Sequence, residues 1–194
     1  MLTPGERAYG DAPNRLVAYV IDAVLITILV FAATICVSIL AGPVVEFDNT
    51  GSGLVEVNDR IAAVDAIVAT LLSLAYFVAT WTWLRGSPGQ RVLQMQLGDE
   101  QGRAVGLGRA ALRWLPLGLP LGIAGLLTVV LPGYADLVVD LLVLAWFAIL
   151  LATIARSPTK QGWHDRLAST VVVKQIRPLT LTSPTGIGQI DRAR

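Results

Sequence analysis

Four apolar runs, separated by polar segments, restrict this chain to very few architectures. They lie at residues 16–41, 61–83, 115–131 and 137–154. At about 1.5 Å of rise per helical residue, roughly 17–25 residues cross the hydrocarbon core of a bilayer. All four runs are close to that range, the third being short and rich in Gly and Pro. Charged residues make up only 15% of the 194 residues, against 54% hydrophobic, whereas a soluble globular chain carries about 25% charged residues. A secretory signal competes for the first run. Its apolar region would be only about 7–15 residues, and it would not contain an acid such as Asp22. The expected fold class is therefore an all-α membrane protein with four transmembrane helices embedded in a lipid bilayer.

Lys and Arg concentrate in the segments that stay on the cytoplasmic side. Arg7 and Arg15 precede the first run, and only Arg60 follows it. Arg85, Arg91, Arg103, Arg109 and Arg113 fill the middle segment, and seven more cations follow the fourth run. With both termini cytoplasmic, 14 of the 15 Lys and Arg fall inside. Trp81, Trp83, Trp114 and Trp163 sit near that same boundary, at head-group level. Trp146 is mid-span and is expected to pack between helices. The predicted location is the cytoplasmic (cell) membrane, multi-pass.

The polar segments divide the chain further. Residues 1–14 read as a flexible cytoplasmic arm, 42–60 as an acidic Gly-rich loop and 176–194 as a disordered cytoplasmic tail around a membrane domain at 15–175. Leu93, Met95 and Leu97 alternate with Gln94 and Gln96, which is strand periodicity, and residues 169–174 (STVVVK) are β-branched. These two strands are expected to pair as a small cytoplasmic β element. Residues 107–114 read as a short amphipathic helix. RGSPGQR after span two echoes RSPTKQGWHDR after span four, but the match is short and chance is the preferred explanation.

An ionisable group inside a span costs roughly 2.5–3.5 kcal/mol on insertion scales, so Asp22 needs a partner. Arg15 lies seven residues earlier on nearly the same helix face, about 10.5 Å away along the axis. Arg91 and Arg166 are the expected cations. The alternatives are a structural ion pair that fixes helix packing and a role in transport or proton relay. Nearer the outer side, Asp136 and Asp140 share a helix face at i, i+4, and Asp65 lies at similar depth. Together they are a candidate outer cation site, or merely a polar helix end.

At these residues a family becomes recognisable. RLVAYVID, with Arg15 and Asp22, resembles the opening helix of the RDD family of bacterial membrane proteins, named for one arginine and two aspartates. Residues 86–115 are similar to its turn, strand and basic helix, and QGWHDRLASTVVV (161–173) is similar to its ending, placing the third named position on Asp165. The resemblance covers roughly residues 13–175. It implies a multi-span inner-membrane protein of largely undefined molecular role, some members being linked to cation/proton exchange. Many members have three spans, so four is a departure.

His164 and Asp165 admit a proton-relay reading, because imidazole titrates near neutrality. Adjacent residues point about 100° apart on a helix, which favours Asp165 capping or pairing with an arginine. A single histidine and a single cysteine, Cys36, leave no metal cluster or intrachain disulfide. RGSPGQR lacks the ending of a phosphate-binding loop and reads as a turn; no Gly-x-Ser-x-Gly occurs. No cofactor, no nucleic-acid partner and no enzyme activity are expected. The family-motif network is Arg15, Asp22, Arg91, His164, Asp165 and Arg166. Two functions remain: a non-catalytic membrane subunit or scaffold, with a homo-oligomeric or membrane-protein partner, and an oligomeric transporter of a monovalent cation or proton.

Overall fold

The computed structural model describes residues 8–47, 55–131 and 133–174. In chain order the elements are β1 (Ala8–Tyr9), α1 (Ala12–Ala41), β2 (Val45–Phe47), β3 (Val55–Val57), α2 (Asp59–Trp83), α3 (Pro88–Val92), β4 (Met95–Gly98), α4 (Leu107–Val130), α5 (Asp136–Arg156), α6 (Trp163–Leu167) and β5 (Val171–Lys174). Among the described residues four helices, α1, α2, α4 and α5, are long and apolar enough to cross a membrane. Their side chains explain why. Ile39, Leu40, Val130 and Leu142 are each more than two-thirds exposed, an arrangement that lipid tolerates and water does not.

Each helix is longer than its apolar run. α1 begins at Ala12, with Pro13 in its first turn, where a missing N–H costs nothing. α4 begins at Leu107, so the short amphipathic helix and span three are one continuous element. It continues through Pro116 and Pro120. Pro120 offers no N–H to the carbonyl four residues back, at Pro116. The Trp146 indole on α5 donates to that same carbonyl at 2.8 Å. α2 and α4 pack closely at Gly122, where an added Cβ would lie 2.5 Å from Thr70 Oγ1.

A three-stranded sheet of order β1-β5-β4 caps one end of the bundle. β4 and β5 are antiparallel, with Met95 opposite Lys174 and Gly98 opposite Val171, as the alternation and β-branching predicted. β1 adds an edge strand, Tyr9 pairing Val173. This corrects the flexible arm expected at 1–14: residues 8–14 are a strand and the start of α1. Residues 1–7 and the tail expected at 176–194 lie outside the described residues. The loop expected at 42–60 contains an antiparallel hairpin of β2 and β3 at the other end of the bundle.

The echo between the two halves is geometric, which corrects the reading as chance. Both α2 and α5 are followed by a residue with positive φ (Arg85, 57°; Lys160, 52°), then a five-residue helix, then a second positive-φ residue (Gln94, 57°; Ser169, 51°) and a strand. Ser87 caps α3 and Gly162 caps α6. In each, the third helical residue folds back onto the cap amide: Gln90 Oε1 accepts from Ser87 N, and Asp165 Oδ2 from Gly162 N, both at 3.1 Å. α3 then packs on α1, and α6 on α4. The chain is thus two copies of helix–helix–short helix–strand, joined through β4 and β5.

Candidate functional site

The polar interior lies at the sheet end of the bundle and has two parts, one for each short helix. Asp165, fully buried on α6, is the centre of the first. Arg15 of α1 donates Nη1 to its Oδ2, and Arg113 of α4 donates Nη1 to its Oδ1. Neither arginine is more than 1% exposed. Arg113 also donates to Thr170 Oγ1 at 2.8 Å, and its guanidinium lies 4.9 Å from the centre of the Trp81 ring. Arg15 Nε donates to the Gly10 carbonyl at 2.9 Å, tying α1 to the chain just before it. One carboxylate thereby joins two spans to the short helix that leads into β5.

Burial alone would raise the Asp165 carboxyl, but the guanidiniums of Arg113 and Arg15 outweigh it and hold the group below the usual carboxylate range. His164 behaves oppositely. Burial pushes its imidazole down to about 4, and the arginines add to that against the pull of Asp165. The ring is neutral at pH 7. Its Nε2 lies 3.4 Å from the Tyr19 hydroxyl and 3.5 Å from Asp165 Oδ1, and its Nδ1 has no hydrogen-bond partner among the described residues.

Asp22 is the centre of the second part. Its carboxylate accepts from Tyr76 Oη at 2.9 Å, from Ser87 Oγ and from the Gly89 backbone N–H at 2.8 Å. The Gly89 amide belongs to the first turn of α3, where N–H groups have no helical acceptor. Among the described residues no arginine forms an ion pair with Asp22, so the expected pairing with Arg91 or Arg166 is corrected. Both arginines are exposed. The repeat explains why: Arg91 and Arg166 follow Gln90 and Asp165 in their helices, about 100° around the axis. The inward position is taken by the capping residue, and the next one faces out. Asp22 is satisfied by three neutral hydrogen-bond donors instead.

The outer carboxylates differ in their surroundings. Thr34 Oγ1 on α1 reaches both oxygens of Asp65, at 2.8 and 3.1 Å. Asp140 is exposed, and Asp136 lies at the start of α5 with a buried Oδ1 that has no partner among the described residues. Among the described residues no group of three His, Cys, Asp or Glu is placed to hold a metal ion.

Sequence reasoning missed Arg113, Tyr76, Ser87, Gly89, Tyr19 and Thr170. One signal was present: Ser87, with Pro88 after it and Gln90 at the third helical position, is a capping-box pattern. Arg113 left none, because it sits among the cations that orientation alone accounts for.

Residues 9–169 match the model of the RDD family. That stretch runs from β1 to the residue before Thr170, and so contains Arg15, Asp22 and Asp165. No curated protein and no solved structure matches the chain. With most of its length covered, including both buried centres, this multi-pass membrane protein belongs to the RDD family.

Proposed function

We infer that the protein is a non-catalytic membrane subunit or scaffold, whose Arg/Asp network fixes the spans to the sheet beneath the bilayer. The observation that carries this reading is the pairing of Asp165 with arginines from two different spans. A proton relay needs a group that gains and loses its proton at working pH. Asp165 is held ionised and His164 neutral, and the donors around Asp22 leave it fixed between α1 and α3. Such groups hold elements in place rather than pass a cargo. The sheet end faces the cytoplasm in this reading, and a second copy or another membrane protein is the partner of the exposed helix faces.

Proteoliposomes containing wild type or Asp22→Asn, loaded with sodium, potassium or proton gradients, test it. No gradient-driven flux in either is the expected result. Flux in wild type that Asp22→Asn abolishes would instead establish an exchanger-like transporter.

A further inference from the structure

A cavity of about 550 Å³ lies inside the bundle between α1, α2, α4 and α5. That is within the roughly 300–1,000 Å³ of small-ligand pockets. Its walls are almost wholly apolar, Leu117, Phe147 and Leu151 among them, and its polar lining includes Tyr19 and His164. It opens between α1 and α5, where Ala23 and Ala148 line it and are exposed. Those two helices share little contact. The mouth lies along spanning helices and so faces hydrocarbon. Apolar cavities of this kind exclude water, and an unfilled one forfeits the dispersion contacts of its lining.

The polar end has a definite electrical character. Tyr19 is within electrostatic range of Arg113, Asp165 and Arg15, and His164 touches Asp165. Behind them two guanidiniums meet one carboxylate, leaving one net positive charge. Among the described residues, Arg15 Nη2, Arg113 Nε and Nη2 and His164 Nδ1 are buried without hydrogen-bond partners. Asp22, another buried acid, is held separately by Tyr76, Ser87 and Gly89. This end therefore favours a negative group, and it lies toward the sheet, with Tyr19 three residues into the apolar run that starts at Leu16. From Tyr19 to Thr27 the lining follows α1 for about 12 Å, at 1.5 Å per residue, in the direction of an acyl chain.

We propose that this cavity binds one acyl chain of an anionic phospholipid, which enters between α1 and α5 and sets its head group toward Tyr19 and His164. The lipid fills the bundle laterally, independently of any partner protein.

Native mass spectrometry of the intact protein in detergent, with phosphatidylglycerol or phosphatidylcholine of identical chains, tests this. One phosphatidylglycerol should be retained per chain, in preference to phosphatidylcholine. Ala23→Phe and Ala148→Phe fill the mouth from opposite helices, and each should weaken retention about tenfold or more, a change of about 1.4 kcal/mol. Equal retention of the two lipids overturns the proposal, as does retention that neither filler reduces. So does a change of oligomeric mass in the fillers without loss of lipid, which would make the mouth a protein contact. The lipid comparison uses the unaltered chain and is decisive whether or not the fillers fold.

Discussion

Gly89 and Ala18 touch backbone to backbone: a Cβ added at Gly89 would lie 2.2 Å from the Ala18 carbonyl oxygen. α3 therefore rests directly on α1, and this closeness lets the Gly89 amide reach Asp22. Gly89→Ala should force the two helices apart, costing about 1–3 kcal/mol as overpacking does, with further loss from the weakened Asp22 bond. Gly108→Ala, with nothing within 4 Å of its Cβ, is the control. Thermal melting in detergent should show a clear drop for the first and none for the second; matching curves would show that the contact relaxes freely.

Asp165→Ala should be more damaging than Asp22→Ala, and both more than Asp140→Ala. Removing Asp165 leaves two buried guanidiniums without their carboxylate, on the order of 3–5 kcal/mol. Removing Asp22 strands only the fixed Gly89 amide, about 1–3 kcal/mol, because the Tyr76 and Ser87 hydroxyls can rotate to other acceptors. Asp140 is exposed. Folded yield by size-exclusion chromatography checks the order, and an Asp22 variant weaker than the Asp165 variant would reverse the assignment of the main latch.

Acid should loosen the same centre through His164. Its folded pKa of about 4 lies below the ordinary 6.5, so the unfolded chain binds more protons between those values, and stability rises with pH across that window. The contribution is fully present above pH 6.5 and is lost as pH falls toward 4. Its size is roughly 3 kcal/mol, at 1.36 kcal/mol per unit. Tyr19, Asp165, Arg113 and Arg15 are the groups facing the ring. Melting temperature should fall between pH 7 and 5 in wild type and stay flat in His164→Asn; parallel curves would assign the acid sensitivity elsewhere.

Trp146 and Pro120 should be energetically coupled. Trp146→Phe removes the donor to the Pro116 carbonyl and should cost roughly 0.6–1.7 kcal/mol, the range for hydrogen bonds between membrane helices. In a Pro120→Ala background the backbone N–H returns and the same substitution should cost less. A double-mutant cycle of melting temperatures checks this, and additive effects would mean that the indole does not replace the missing amide.

Reporter fusions after Gly53 and after Arg177 test orientation. The first should read as outside and the second as cytoplasmic, because 14 of the 15 Lys and Arg fall in the terminal and middle segments expected inside. A cytoplasmic signal at Gly53 would invert the membrane placement.

The spans were legible because hydropathy is a property of a run, and β4 and β5 because alternation and β-branching are local. The partners of Asp22 were not, because a hydroxyl, a phenol and a glycine amide carry no charge to search for. Arg91 and Arg166 recommend themselves only as cations of the segments expected on the cytoplasmic side. Which residue faces inward was decided by the short helices, through one step of helical rotation. Arg113 was hidden for another reason: an arginine beside a span is expected at the interface, and only tertiary packing distinguishes a buried one.

The indole bond between α5 and α4 has a mechanical corollary. Sliding α5 along α4 by one residue would bare the Pro116 carbonyl to hydrocarbon, where an unsatisfied backbone group costs several kcal/mol. With Gly122 seated against Thr70 as well, α2, α4 and α5 move as one block, the spine of the bundle. α1 is pinned at its sheet end by Arg15 and Asp22, yet it meets α5 only lightly. Thr34 on Asp65 also ties α1 to α2 in the half away from the sheet, so the one lightly packed line along α1 is its border with α5.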